Sequence, residues 1–554
     1  MSQASEVQRI ALVGGILGVI NHLFLKRHEP ARKTVPKTIL WLLLQPLLVW
    51  FLSNRDENVK SPSILLAYAS FFTSLTASVI FYRLSPFHPL AKVPGPTIFK
   101  ITKLWRVCLC MKGYQYLELK ALHDQYGPIV RTGPNEVSVI DAESVKIVQG
   151  TLPKGHAYLS GAKPPGKPGA LIQLSGEEHK SRRRVWSRGF SSESLKEYEP
   201  ILRRRAAQLA DRLLEQTKST HIDLLMWLNF LSFDIMSEMA FGGGELEMLK
   251  NGADTRGIFG VLRRGLIANE IISHMPWFSY IAGFLPVVSK QRNEMLVFAV
   301  EWCTRRMQNG AEMKDLWYHL TDEPGYEKVK PATDVVASDA LLAIIAGYDT
   351  TAMSMANIFY CLLSRPECYK RVQEEVDREY PPGTDPLVDV SRHGNLRYLH
   401  ACINETLRLL PPVPSSGPRV VPKGSGGKVI HGHFLPEGTQ IYVPPYSVHR
   451  NPENFSPSPD EFLPERWLED DELVVSGPHV FRQDAYIPFA SGPSNCIGKN
   501  LARMEIVMVI IMLIQRFLFE FAEGFDWKEW PAKKRDAFAT ISEPLEVTLK
   551  ARLA

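Results

Sequence analysis

The sequence predicts a mainly α protein with a small β portion, carried behind apolar helices at its amino terminus. Three observations predict it. Long stretches with helical patterning recur at Leu195–Gln216, Val335–Leu363, Tyr369–Glu379 and Leu396–Leu410. Alternation of apolar and polar residues is confined to short pieces such as Ile129–Ile140 and Gln440–Val443, which read as a few strands. The opening residues hold three apolar stretches in series, Ile10–Leu25, Thr38–Leu52 and Ile64–Tyr82, with no amphipathic period.

Only the third of these reaches the ~20 residues that span a bilayer comfortably, and the first two fall short by that measure. No small-residue cleavage site follows the first, which argues against a removable signal peptide. The expected organisation is a membrane anchor over residues 1–83 with up to three transmembrane helices (about 10–25, 38–52 and 64–82), a proline-rich hinge over 84–96, and one body over 97–554. Between the first two stretches lie Lys26, Arg27, Arg32, Lys33 and Lys37 against Glu29. Between the second and third, Arg55 and Lys60 stand beside Asp56 and Glu57. Counting positive charges puts the first loop and everything after Tyr82 in the cytosol. The hinge, with Pro86, Pro89 and Pro94-Gly95-Pro96, reads as a stiff elbow, because proline fixes φ and blocks helix propagation.

The chain has 554 residues, 45% hydrophobic and 22% charged, which excludes disordered and fibrous classes. Lys+Arg 64 against Asp+Glu 59 leaves a net charge of +5, too small for a nucleic-acid protein without a concentrated basic stripe. Seven cysteines without a tandem pattern argue against a disulfide framework. No nucleophile–base–orienter pattern supports a hydrolase.

Four motifs carry the chemistry. Phe489-Ala-Ser-Gly492-Pro-Ser-Asn-Cys496-Ile-Gly498 runs into a helix at Lys499. Gly492 and Pro493 prescribe a tight turn, Gly498 lets backbone come close to something flat, and Cys496 precedes a helix whose N–H groups favour a thiolate. A thiolate ligand of haem iron needs such a loop; a buried free cysteine at a turn fits the segment too. Ala346-Gly347-Tyr348-Asp349-Thr350-Thr351 places an acid beside a hydroxyl inside an apolar helix. Thr350 can bond back to the Ala346 carbonyl and open the helix, with Asp349 relaying protons; a core helix with satisfied polar groups is the alternative. Glu405-Thr-Leu-Arg408 is a weak pattern that recurs at Glu6/Arg9, Glu29/Arg32 and Glu375/Arg378. Its apolar helix and the downstream Pro464-Glu465-Arg466-Trp467 point to a buried network of Glu405, Arg408 and Arg466; a solvated helical pair is the alternative. His179 and Arg183 share one helical face and suit a haem propionate, while Arg182, Arg184 and Arg188 read as a solvated basic face.

In this order the four motifs resemble the cytochrome P450 family of haem-thiolate monooxygenases, from about Pro94 to the end of the chain. The resemblance implies haem b with iron ligated by Cys496 in the loop of Phe489, Gly492 and Gly498. It implies proton delivery by Asp349 and Thr350, a structural charge triad of Glu405, Arg408 and Arg466, and electrons from NADPH through a membrane-bound cytochrome P450 reductase. Two departures stand out. Ser494 occupies the place of the family's usual Arg or His, and His179/Arg183 replaces the usual Trp-x-x-x-Arg pair, so propionate binding is expected to lean on His179, Arg183 and Arg419. The implied reaction inserts one oxygen atom into a lipophilic small molecule at the endoplasmic reticulum membrane, with the catalytic domain facing the cytosol. The anchor and cysteine loop look like fungal members acting in secondary metabolism, with a terpenoid as the first substrate class. Lining candidates are Ala346, the Pro411–Gly417 loop and the Ala537–Thr540 turn, with Ile271–Pro286 as a candidate entrance. Lys499 and the Arg182–Arg188 cluster are candidate docking charges for an acidic partner. Two competing readings are a haem-thiolate isomerase or dehydratase needing no external electrons, and a non-catalytic haem-binding membrane protein.

Overall fold

The computed structural model describes the chain except for residues 1–2, 28–33, 54–63, 160–168, 243–246, 276–285, 311–312, 382, 469–478 and 553–554. Helices dominate, with short strands between them, as the patterning predicts.

The amino-terminal stretches form α1 (Gln3–Arg27), α2 (Val35–Ser53) and α3 (Ile64–Leu84). The first two are longer than their apolar runs suggest, at 25 and 19 residues, because each continues through polar residues at its ends. Among the described residues, five helices are long and apolar enough to cross a membrane. The apolar windows of α1, α2 and α3 are only 28%, 17% and 11% buried within the protein, so their surface faces outward. The other two are core helices. These are α10 (Leu224–Phe241) and α13 (Thr333–Leu363), and their windows are 78% and 44% buried. The charges of residues 29, 32, 33, 55–57 and 60 lie outside the described residues.

After α3 the chain turns through 85–93 on successive backbone bonds, then runs extended along Pro94-Gly95-Pro96 into α4 (Thr97–Ile101), α5 (Leu104–Lys112) and α6 (Gln115–Tyr126). Ile129–Ile140 folds as a hairpin of β1 (Ile129–Gly133) and β2 (Glu136–Val139). Asp141 caps α7 (Ala142–Thr151), its side chain accepting from Ser144 N at 2.9 Å. Then follow α8 (Gly176–Gly189), α9 (Ser192–Gln216), β3 (Ile222–Asp223), α10, α11 (Ile258–Ser273) and α12 (Pro286–Asn309). Beyond α13 come α14 (Pro366–Glu379), α15 (Arg397–Leu409), β4 (Arg419–Val420) and β5 (Gln440–Tyr442). The chain finishes with α16 (Lys499–Arg516), β6 (Phe517–Phe521), β7 (Arg535–Ala537), β8 (Ala539–Ile541) and β9 (Glu546–Ala551).

One sheet has the order β1-β2-β5-β4, with β2 and β5 parallel, and a second runs β6-β9-β3. The main core lies among α9, α10, α13 and α16. Residues Glu505 to Ile514 of α16 are buried without interruption, as expected of a helix apolar all round. Gly347 lets α13 lie against α10: a Cβ there would come within 2.6 Å of the Met236 sulfur.

Candidate active site

The cysteine loop is pinned to α7. Gly492 has φ +71°, and a Cβ there would run into the Gln149 carbonyl, so glycine is required on two counts. The Gln149 side chain accepts from Ser491 N and Oγ at 2.6 and 2.9 Å, and Cys496 N donates to Phe489 O at 2.8 Å. Cys496 is exposed as a residue, although burial pushes its thiol up. Backbone N–H groups of Gly498 and Lys499 and the Arg183 charge oppose that rise. The donor set is that of a soft metal ligand: a sulfur with backbone donors aimed at it.

Helix α8 ties this loop to the central helix. Arg183 donates to Asn495 O at 2.8 Å and to Asn495 Oδ1 at 2.5 Å. One turn away, Asp339 of α13 accepts from Leu171 N and Arg182 at 2.8 Å and from Trp186 Nε1 at 2.9 Å. Arg182 was expected on a solvated face; its charge is spent on a buried acid supplied by another helix. Arg188 likewise pairs with Asp322 at 2.9 Å and with Glu327, and Arg184 with Glu327 at 2.8 Å. The expected basic docking cluster is therefore largely neutralised where it stands, leaving Lys499 exposed.

On α13, Thr350 Oγ1 donates to Ala346 O at 2.6 Å, the back-bond that the sequence allows. Ala346 is exposed although Ala343, Ile344 and Tyr348 are buried, so a narrow stripe of this helix is open. Burial pushes the Asp349 carboxyl up to about 7, and the Arg263 charge opposes the rise.

A second group converges around His179. The Lys154 backbone forms an isolated bridge with Arg419, and its Nζ donates to Leu171 O at 3.1 Å. Burial together with the Arg419 and Arg183 charges pushes the Lys154 ammonium down to about 7. Burial with Lys154, Arg183 and Arg419 pushes His179 down to about 4. Among the described residues, the charges acting on both groups are all basic. Of these four basic side chains, all but Arg183 under 9% exposed, Lys154, Arg183 and Arg419 repel one another's charge and keep the His179 ring neutral near pH 7. Such a cluster is chemically matched to a bound dianion. Lys154 has no sequence signal: a β-bridge to a residue far along the chain brings it in.

The Glu405 carboxylate is saturated with donors, and of its two arginines only Arg466 Nη1 is buried without a partner among the described residues. Arg408 donates through Nε and Nη2 to the two Glu405 oxygens at 2.8 Å, Arg466 Nε at 3.0 Å, Trp467 Nε1 at 2.9 Å and Leu463 N at 3.0 Å. Burial alone would raise the Glu405 carboxyl, but these partners hold it below its ordinary value. Arg408 also donates to the carbonyls of His449, Pro459 and Glu461 at 2.7, 2.5 and 3.0 Å. The His449 ring sits between Arg408 O at 3.0 Å and Ile487 N at 2.9 Å. Because its Nε2 accepts from Ile487, its Nδ1 carries the proton, and the network reaches the strand of chain that enters the cysteine loop.

Near the expected lining, Thr540 N donates to Pro412 O at 2.8 Å, joining the 411–417 loop to the 537–540 turn. Gly417 N donates at 3.1 Å to Oη of Tyr158, whose ring meets that of Phe538 at 6.0 Å between centroids. Trp277, Phe278, Tyr280 and Phe284 of the expected entrance lie outside the described residues. Among the described residues, one group of potential metal ligands, Cys110, Glu270 and His274, is closed by its own hydrogen bonds through Gln115.

The cytochrome P450 family model matches residues 94–549. The chain is a cytochrome P450. A cytochrome P450 monooxygenase of Fusarium pseudograminearum is 30% identical over 554 residues, covering 97% of both chains. The averantin hydroxylase of Dothistroma septosporum is 30% identical, covering 86% of this chain and 89% of its own. The tryprostatin B 6-hydroxylase of Aspergillus fumigatus is 31% identical, covering 90% and 86%. This cytochrome P450 is accordingly a haem-thiolate monooxygenase, with iron bound by a cysteine and electrons supplied from NADPH through a reductase.

Proposed function

We propose that this cytochrome P450 inserts one oxygen atom of O2 into a lipophilic small molecule of fungal secondary metabolism, with Cys496 as its iron ligand. The observation that carries the assignment is the Cys496 loop: an exposed cysteine whose neighbours Ser491 and Asn495 are held by Gln149 and Arg183, with the Gly498 and Lys499 N–H groups directed at its sulfur. Bound there, haem supplies the oxygen activation; the second oxygen atom leaves as water with two electrons and two protons.

The residues divide the remaining work. Lys154, His179, Arg183 and Arg419 hold the propionates, so that the missing base at Ser494 is compensated from two other elements. Phe489, Gly492 and Gly498 shape the loop around the ligand. Asp349, protonated over part of its population near pH 7, delivers protons, and Thr350 donates or relays them from its seat on the Ala346 carbonyl. Glu405, Arg408 and Arg466 stiffen the approach to Cys496.

Residues 1–83 serve as the membrane anchor, 84–96 as the hinge and 97–554 as the catalytic domain. Lys26 and Arg27 at the end of α1 and Lys37 at the start of α2 favour a cytosolic catalytic domain on the endoplasmic reticulum membrane. A terpenoid remains the first substrate class to screen; the compounds for which two relatives are named, averantin and tryprostatin B, are the next.

The test is the absorption difference spectrum of reduced protein with and without carbon monoxide, in wild type and Cys496→Ala. A strongly red-shifted Soret band in wild type alone supports the assignment. Its absence from haem-loaded wild type would overturn it. Product formation that needs NADPH and reductase then separates a monooxygenase from an isomerase or dehydratase.

A further inference from the structure

The amino-terminal helices are joined by specific contacts that a plain anchor does not need. Within lipid the hydrophobic effect gives helices no reason to associate, so small residues and polar pairs decide which faces meet. Along α1, Gly14 and Gly18 lie against α3 so closely that a Cβ on Gly14 would clash with Ser70 and one on Gly18 would come within 2.8 Å of Leu75 N. Ser74 Oγ of α3 donates to Gly15 O at 2.7 Å, and the His22 ring meets Ser78 Oγ at 2.7 Å. Between α1 and α2, Asn21 and Gln45 exchange amide hydrogen bonds at 2.8 and 3.0 Å, and Trp41 Nε1 adds a third to Asn21 Oδ1 at 3.1 Å. Tyr68 Oη donates to Leu43 O at 2.8 Å and joins α3 to α2.

The bundle is also tied to the catalytic domain. Arg83, at the end of α3, donates to Ile101 O of α4 at 2.6 Å. Arg131 of β1, 1% exposed, reaches back to Arg83 O at 3.3 Å and Leu90 O at 3.5 Å and holds Pro134 O at 2.9 Å. The extended Pro94 segment is bound to the same strand, with Arg131 N donating to Pro94 O at 2.6 Å. Tyr82 is gripped from both sides, by Lys26 at 3.6 Å from its ring centroid and by the His88 ring at 5.1 Å. A chain so fixed has little freedom to swivel where it leaves the membrane.

Directly beyond this junction the surface is apolar. Phe87 is 86% exposed, Ile98 45%, Leu104 57%, Trp105 47% and Met111 56%. On α5, Cys108 shares the outer face with Leu104, Trp105 and Met111 by helical spacing and is itself exposed.

We propose that α1, α2 and α3 fold as an intramembrane bundle braced through Arg83 and Arg131, and that this brace holds the α4–α5 face against the lipid surface. The lipid surface is the occupant because the face continues directly from α3. This inference rests on the membrane-anchored reading above. The brace makes the orientation of the catalytic domain a property of the fold rather than of a tether.

The experiment uses the full-length holoprotein in phospholipid nanodiscs, with a bimane label on the native Cys108 and brominated phospholipid as quencher. Wild type is expected to lose bimane emission several-fold. Arg83→Ala and the Asn21→Leu/Gln45→Leu pair are expected to recover most of that emission while keeping the carbon monoxide band and resistance to alkaline extraction. A Gly15→Cys/Ser74→Cys pair on a Cys108→Ala background is expected to cross-link within one chain. No quenching in extraction-resistant wild type, or unchanged quenching in both variants, would overturn the brace. Failure of the cross-link would overturn the bundle. Release of wild type by alkali would overturn the anchor reading itself.

Discussion

Two buried ionic groups lie on either side of the cysteine loop, and they are built on opposite plans. Around Glu405, one carboxylate receives two arginines, an indole and a backbone N–H. Arg408 spends its surplus hydrogens on three carbonyls and Arg466 Nη2 on two more, with Arg466 Nη1 left buried without a partner among the described residues. Around His179, Lys154, Arg183 and Arg419 gather, and among the described residues the charges acting on His179 and Lys154 are all basic. In the first group the acid finds all its donors within the chain. The second is stabilised only when something anionic joins it. On the proposed function, the donor-saturated network holds the fold together and the open one receives the cofactor.

The largest predicted effect comes from opening the donor-saturated network. Glu405→Ala strands two fully buried guanidinium groups, and breaking such a pair costs about 3–5 kcal/mol. That is a large share of the ~5–15 kcal/mol that holds most domains folded. We expect almost no recoverable carbon monoxide band from Glu405→Ala membranes. Recovery near wild type would show that the network is not structural.

The open cluster is predicted to behave the other way. Lys154→Met or Arg419→Ala removes repulsion in the haem-free chain but also a partner for the dianion. Haem affinity should fall by about 10–100-fold, the worth of one charge-assisted hydrogen bond of about 1.5–3 kcal/mol. Haem-free protein should at the same time unfold no earlier than wild type. Haem transfer to apomyoglobin and proteolysis of the apoprotein read the two effects separately. A parallel loss of both would mean that the cluster, like Glu405, is part of the scaffold.

These two groups also show what sequence can carry. The Cys496 loop was legible because its constraint is local: turn, cysteine and helix start fall within ten residues of chain. The Glu405 pattern recurs three more times, and only its apolar helix and the downstream Arg466 marked this copy. Lys154 was illegible, since neither Pro153 nor Gly155 announces a charge site; its role comes from pairing with the strand of Arg419. Arg182 and Arg188 were misread for the same reason. Helical spacing says which residues share a face, but Asp339 and Asp322, which neutralise them, arrive from other parts of the fold. The helices themselves were readable because their apolar patterning is continuous, except that α1 and α2 outran their apolar runs.

An effect no larger is expected on α13, where the polar pair neither closes a network nor holds an anion. Thr350→Ala should lower product formed per NADPH by about 100-fold, at the weaker end of proton-transfer effects. Unchanged coupling would remove Thr350 from the mechanism. The Asp349 carboxyl, raised to about 7, is protonated below that pH and ionised above it, so a proton-limited rate should decline as pH rises through about 7. Asp349→Asn should abolish that limb. The stability sign is fixed too. Below about 4 both folded and unfolded chains hold this proton and nothing is lost; between about 4 and 7 the folded chain alone retains it, and stability falls as pH rises. Glu505 and Asp536, also raised to about 7, act in the same direction. The test is therefore the difference between wild type and Asp349→Asn, which should widen from pH 4 to pH 8.

The smallest effects are predicted at the surface, where the same contrast between closed and open charges applies. Glu327 already engages Arg184 and Arg188, so their fields largely cancel before an approaching protein meets them. Lys499 stands exposed beside the cysteine loop, with no acid paired to it among the described residues. A rim charge of this kind acts on encounter rate, and its influence fades with salt. Lys499→Ala should therefore raise the KM for reductase by about two- to threefold at low ionic strength, with kcat unchanged. Arg184→Ala should move neither. If Arg184→Ala proved the more damaging of the two, the reductase would have to break the Glu327 pair as it docks, and a charge classed as closed in the isolated chain would be open in the complex.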